Sequence, residues 1–374
     1  MKFVVSSSNL LNHSQAISRV INSKKTLSIL DCFLLELKGN ALSLTAADNE
    51  SRLQTTIDVS NEGSDGSVAI NAKNLLDPLR ELPDQPLTFE INDDTLEVNI
   101  FYHNGKYNFI GLKSEEYPEP KQLSDNVMTF RINAQDLFNG INRTIFATAD
   151  DELRPVMNGI FFDLTPEGLT FVGSDGHKLV RFINKAVKSE GRSSFILSKK
   201  PANLLRALLP RETGEIEIRF DEDQAYVVMQ DYTMLCRFTE GRYPNYNSVI
   251  PKNNPNSVTI DRLSLLNALK RVAVFTNPAI GLIKMQFSED SIVVSAQDID
   301  FLTSAEETIP CTYHGNVLNI GFKALFLIDI LNNIPSADVR IELSDPSRAG
   351  VVFPAENEEN EDMLALLMPM MLND

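Results

Sequence analysis

SFILSKKPANLLRALLP, residues 194–210, reads as a short apolar strand running into a helix. Phe195, Ile196 and Leu197 supply the strand, and Ser198 is an N-cap candidate. Pro201 suits a first helical turn, and Leu204, Leu205 and Leu208 form an apolar stripe. The other face carries Lys199, Lys200 and Arg206 and no acid. The phrase recurs as VAINAKNLLDPLRELP at 68–83 and VLNIGFKALFLIDILNNIP at 317–335. In each copy an isoleucine precedes a lysine by three residues: Ile70 and Lys73, Ile196 and Lys199, Ile320 and Lys323. The lysines are 126 and 124 residues apart. A fixed long period is the sequence mark of a repeated structural unit.

Other landmarks keep that period in the same order. Each third opens with a strand and an amphipathic helix, at Phe3, Phe130 and Val258. Each then has a strand ending in an acidic turn, at Asp48, Asp175 and Asp298, spaced 127 and 123 residues apart. Tyr117-Pro118 and Tyr243-Pro244 lie 126 apart. Polar linkers at 114–126 and 247–256 separate the thirds. The expected domains are 1–126, 127–255 and 256–374. Within each, strands outnumber helices, so the fold class is α+β, with two helices covering one face of antiparallel sheet. Hairpin turns are expected at Asp93-Asp94 and Asn104-Gly105. Pro78 should kink or shorten its helix, at roughly 3 kcal/mol if interior.

Composition narrows the function. No apolar run approaches a membrane span, and MKFVVSSSN alternates as a strand does rather than as a signal peptide. Cys32, Cys236 and Cys311 are odd in number and unpatterned, which argues for a reducing, cytoplasmic setting and against disulfides or zinc. The net charge of −17 is unevenly spread. Six helix windows (8–25, 71–83, 133–148, 198–210, 261–275 and 322–334) hold 13 Lys+Arg against 5 Asp+Glu. They carry a surplus of eight positive charges, and the remainder of the chain carries −25. Local field, not net charge, decides where a polyanion goes.

Catalytic chemistry has little support. His13, His103, His177 and His314 are scattered without ligand spacing, and no glycine loop suits a phosphate. Ser174, Asp175 and His177 are too close in sequence to fold into a nucleophile, base and orienting acid, and read as a tight turn. No metal, cofactor or catalytic residue is expected, and the protein is not expected to be an enzyme.

Several motifs nevertheless match a known family across the whole length: the opening MKF, TLSIL at 26–30, SDGHKL at 174–179, GRYPNY at 241–246, VIPK at 249–252 and LLMPMML at 366–372. The chain resembles the bacterial sliding clamps, the beta subunit of the replicative DNA polymerase III. The resemblance implies three similar domains per chain, joined head to tail in a homodimeric ring around duplex DNA. Helices would line the pore and sheets form the outer wall. It also implies a pocket that takes short peptide motifs of polymerases, clamp loader and repair proteins, and hence a role in tethering the polymerase.

Helix faces and family positions together direct Lys24, Lys25, Lys73, Arg80, Lys199, Lys200, Arg206 and Arg271 to DNA, without base reading. The resemblance implies a peptide pocket of Arg154, Met157, Ser174, Gly176, His177, Leu179, Pro244, Val249, Leu366, Met368, Pro369, Met370 and Met371. It places Val274 and Phe275 at the dimer contact. Departures from the family pattern are Lys24 for arginine, the acidic 150–152 stretch with Pro155, Met371 for a basic residue, Lys323 for asparagine, and the added Asn373 and Asp374. The competing reading is a repeat-built peptide scaffold that encircles no DNA; the basic helix faces argue against it.

Overall fold

The computed structural model describes residues 1–21 and 28–372 of the 374. Six α-helices occur among them: α1 Ser7–Ile17, α2 Ala72–Glu81, α3 Ala134–Ile145, α4 Lys199–Leu208, α5 Arg262–Ala273 and α6 Ala324–Asn333. Every strand pairing is antiparallel, and no helix among the described residues is long and apolar enough to cross a membrane. The α+β expectation holds. Two compact packing units emerge, one from residues 1–135 and 203–238, the other from 136–202 and 239–374.

The first unit holds a five-stranded sheet whose outer strand is Gly105–Ile110, and an eight-stranded sheet running from Met128–Asn133 to Gly66–Asn71. In the larger sheet, Tyr232–Arg237 pairs with Ser51–Asp58, Met234 opposite Leu53. Residues far apart in the chain thus share one ladder. Ser51–Asp58 alternates buried and open positions, as a strand with one covered face must. In α1, Ser6 caps the helix by accepting the Asn9 N–H, and Leu10 and Ile17 are buried.

The second unit holds a nine-stranded and a four-stranded sheet. At the centre of the larger, Lys178–Asn184 lies beside Glu361–Leu367, with Leu179 opposite Leu366. The four-stranded sheet ends on Thr303–Pro310, and Leu265, Leu269, Leu327, Ile330 and Leu331 of α5 and α6 are buried.

Some local expectations were displaced. Pro78 sits inside α2, yet that helix has ten residues, like α4 and α6. Asn71 caps it through the Lys73 and Asn74 N–H groups, and burial of Leu75, Leu76 and Leu79 holds the turns on both sides of the proline. The second hairpin slips by one residue: Tyr102 pairs with Gly105, so His103 and Asn104 form the turn. The apolar stretch from Leu27 to Leu37 reads as one strand, but residues 28–31 form a 3-10 turn and the strand begins only at Cys32.

Helix α3 lies unusually close to the strand Gly168–Ser174. A Cβ on Gly140 would fall 2.4 Å from Phe171 Cζ, and one on Gly173 would fall 2.3 Å from the Thr144 carbonyl oxygen. The second clash is with backbone, which cannot rotate away. Gly173→Ala is therefore expected to destabilise the fold by about 1–3 kcal/mol. Urea unfolding measures this, and an unchanged midpoint would contradict the packing argument.

Candidate functional site

The tail following Glu361–Leu367 does not fray. The Met368 N–H donates to the His177 carbonyl (2.9 Å), and the Met370 N–H donates to the Gly321 carbonyl (2.8 Å). The sheet register prepares this placement, because Leu179 opposite Leu366 and Lys178 opposite Leu367 bring the chain out beside His177. Met368 and Met371 remain 43% and 80% exposed. Apolar side chains on an anchored backbone form a fixed, adaptable surface, since a thioether fits many contours.

The turn under the tail is set by its own side chains. Ser174 Oγ donates to the Lys178 carbonyl (2.9 Å), and Asp175 Oδ1 accepts the His177 and Lys178 N–H groups, each at 2.8 Å. Lys178 Nζ reaches Asp175 Oδ2 at 2.7 Å. Burial alone would raise the Asp175 carboxyl; the bonds from Lys178 and the two backbone donors outweigh it and hold the group below the usual range. Gly176 adopts φ +90°, and a Cβ there would meet Arg154 Nη1 at 3.0 Å. The tight turn expected at Ser174-Asp175-Gly176-His177 is therefore present, and it stands against Arg154. That arginine pairs with Asp151 (2.8 Å) and points Nη1 toward Met157 Sδ (3.7 Å).

Beneath lies an apolar floor of Leu179, Leu366, Leu364, Val172, Tyr243 and Tyr246. Val249 is 55% exposed and Pro244 is also exposed, both in the segment that those two tyrosines anchor. Tyr246 donates to the buried carboxylate of Asp163 (3.1 Å), which also takes two bonds from Arg192 (2.9 and 2.8 Å). Phe161 stacks on Tyr243 with centroids 4.7 Å apart. All the expected pocket residues thus fall within the second unit, around one floor and one turn, with Pro369 between the two anchored methionines.

Reading the sequence missed Asp163, Arg192, Tyr246, Lys178 and Phe326. Phe326 is stacked against His177 at 6.1 Å, with the ammonium groups of Lys178 and Lys323 at 4.2 and 5.0 Å from its ring centre. Its only sequence signal is an aromatic three residues after the third repeat lysine. Asp163 and Tyr246 are 83 residues apart, and no local pattern connects them.

The basic set is less uniform. Lys73 and Arg80 are exposed on α2, and Arg206 is exposed on α4. Lys199 is half-buried, its ammonium on the Ala149 carbonyl (3.1 Å) and Asp150 (2.7 Å), and Lys200 is also half-buried. Arg271 makes two bonds to Glu307 (2.7 and 2.6 Å). Lys24 and Lys25 lie outside the described residues. Val274 is 78% exposed at the end of α5, next to the exposed Phe275.

Family models for the N-terminal, central and C-terminal domains of the DNA polymerase III beta subunit match residues 1–121, 131–245 and 247–371. The chain belongs to the DNA polymerase III beta subunit family. It is 27% identical to the beta sliding clamp of Pseudomonas aeruginosa over 373 residues, spanning the whole of both chains. It is 28% identical to that of Synechococcus elongatus over 365 residues, covering 95% of this chain and 96% of the other. A P. aeruginosa sliding clamp crystallised with a ligand superposes along the full length of both chains with a TM-score of 0.94 at 27% identity. Another from that organism, bound to griselimycin, gives the same TM-score and identity. With this fold and these relatives, the chain is a DNA polymerase processivity sliding clamp.

The buried Asp163 is the joint between the floor and the segment carrying Pro244 and Val249. Asp163→Ala would leave the buried Tyr246 hydroxyl without this partner and release the exposed Arg192 to solvent, costing about 1–3 kcal/mol. Thermal melts should show the loss, and Tyr246→Phe, which removes one bond, should lose less. Equal stability of all three proteins would argue that the brace holds nothing.

Proposed function

We propose that this clamp works by binding alone, with three separate surfaces and no catalytic step, inside the cell's cytoplasm. Its domains are taken as 1–126, 127–255 and 256–374. The exposed bases of the helices meet duplex DNA, the anchored tail region takes partner peptides, and two sheet edges join a second copy.

The observation that carries the reading is the anchored, exposed tail at Met368–Met371. Exposed apolar groups held on a rigid sheet support a surface built for an extended peptide, which can seat Leu or Phe anchors against them for about 1.5–3 kcal/mol per side chain. That a P. aeruginosa relative was solved with griselimycin bound supports a ligand-accepting surface on this fold. The polymerase, the clamp loader and repair proteins are the proposed peptide donors.

DNA would be held by Lys73 and Arg206 most directly, since both are exposed. Arg80, Lys199 and Arg271 are already paired with Asp77, Asp150 and Glu307, so their net attraction for phosphate is smaller. Lys200, Lys24 and Lys25 complete the proposed set. Interactions of this kind fix no base sequence and weaken with salt, as sliding requires.

For the ring, the outer strands Gly105–Ile110 and Thr303–Pro310 leave backbone groups unpaired at two sheet edges. Lys106 lies on one, and Glu306 and Glu307 lie on the other. Exposed Ile110 neighbours the first edge, and α5 ends in exposed Val274 and Phe275. Two unlike edges favour a head-to-tail contact that closes when the rotation allows.

Two outcomes test these assignments. Reversing Lys73 and Arg206 to Glu should weaken retention on circular DNA and flatten the slope of log affinity against log salt, by roughly 0.9 for each phosphate no longer neutralised. An unchanged slope would place both residues away from DNA. Deleting residues 368–374 should abolish calorimetric binding of polymerase-derived peptides while sedimentation still shows the dimer. Full peptide affinity in the truncated protein would remove the tail from the site.

A further inference from the structure

In the turn beneath the tail, the charges are paired internally. Asp175 is held by Lys178 and two backbone N–H groups, and Asp151 by Arg154. Lys323 has no carboxylate within 4 Å among the described residues. Its ammonium stands 5.0 Å from the centre of the Phe326 ring, and the side chain is half-buried. The stem runs beside Gly281, where an added Cβ would lie 3.7 Å from Lys323 Cγ. A stem lying on a glycine and a head lying on an aromatic ring restrict the lysine to few positions, so less entropy is lost when it binds.

The place of this group matters. Lys323 follows Gly321 by two residues, and Gly321 receives the Met370 N–H. Phe326 stacks on His177, whose carbonyl receives the Met368 N–H. The cation therefore belongs to the rim of the same surface. Asp329, on the helix that carries Phe326, makes no ion pair with Lys323; burial first, and the Asp175 charge with it, raise its carboxyl above the usual range against the pull of Lys178.

We propose that Lys323, seated on Phe326, is a specificity-determining residue that selects partner peptides carrying an aspartate or glutamate beside their apolar anchors. This rests on the tail region being the peptide site. An acidic peptide approaching a protein of net charge −17 meets general repulsion. A local ammonium without an internal partner offsets that at one position and so discriminates between peptides that share the same anchors. Magnitudes for half-exposed ion pairs suggest a preference of about threefold to fivefold.

The test uses the full-length protein and a set of seven-residue synthetic peptides with identical Leu and Phe anchors. The non-anchor positions are scanned with Ser or Asp, and binding is read by fluorescence anisotropy at low and high salt. One position is expected where Asp binds about fivefold tighter than Ser. That ratio should fall to one in Lys323→Asn, invert in Lys323→Glu, and shrink at high salt. Lys323→Arg should restore it, separating charge from fold. An Asp preference that survives in Lys323→Asn would assign the reading to another cation and overturn the proposal, as would equal binding of Asp and Ser peptides at every position. If no peptide of either kind binds the wild-type protein, the peptide-site reading itself fails, and the selection falls with it.

Discussion

The antiparallel register between Lys178–Asn184 and Glu361–Leu367 is the constraint on which the candidate site depends. A slip of one residue would turn Leu364 and Leu366 out of the floor and carry Met368 away from His177. The register is secured from several directions. Leu179, Leu364 and Leu366 are buried in one cluster, and Arg181 reaches Asp362 across the pair at 2.8 Å. At the far end, Arg143 of α3 bonds to the buried Glu361 and lies 5.0 Å from the Phe182 ring centre. Pairing of residues nearly two hundred apart in sequence thus takes the place of the local motif found in simpler sites. It also rigidifies an apolar surface before any partner arrives, so little ordering remains to be done on binding.

The charge distribution follows a second logic. A protein with 51 acids and 34 bases must keep its few attractive surfaces from being neutralised internally. At Lys73 and Arg206 this succeeds because the buried stripe, Leu75, Leu76 and Leu79 in α2 and Leu204, Leu205 and Leu208 in α4, forces them outward, while Arg80 is met by Asp77 at 3.2 Å. On α5 it succeeds only partly, since Glu307 on the neighbouring edge strand takes both guanidinium arms of Arg271. The same happens at Lys199, where the acidic stretch after α3 supplies Asp150.

These details bear on what a sequence discloses. The three-fold repeat was legible because a strand, a lysine three residues after an isoleucine and an apolar helix stripe recur at nearly constant spacing, and burial of the stripes favours that pattern. The turn at Ser174–His177 was legible too, since glycine and aspartate there have a local backbone use. What escaped reading were partners set by the third dimension. Nothing near Asp163 announces Tyr246, and nothing near Lys199 announces Asp150 fifty residues earlier. Pro78 misled for a related reason. Its local cost is real, but the leucines on either side bury enough surface to keep the helix whole.

The two surfaces face opposite demands. Duplex DNA must be held without being gripped, so each contact has to be weak and replaceable, while a partner peptide must be chosen among many acidic and apolar segments. In the proposed assignment the first need falls to exposed cations, whose attraction fades within a Debye length and is tempered where Asp150 and Glu307 occupy a base. The proposed answer to the second is the opposite arrangement, a cation lying over Phe326 and hydrophobes fixed on a sheet. Lys73 and Lys323 arise from the same repeat position, yet one stands exposed beside the first turn of a helix and the other lies half-buried on an aromatic ring. The difference lies three places on, where the first copy has Leu76 and the third has Phe326 for the ammonium to rest on.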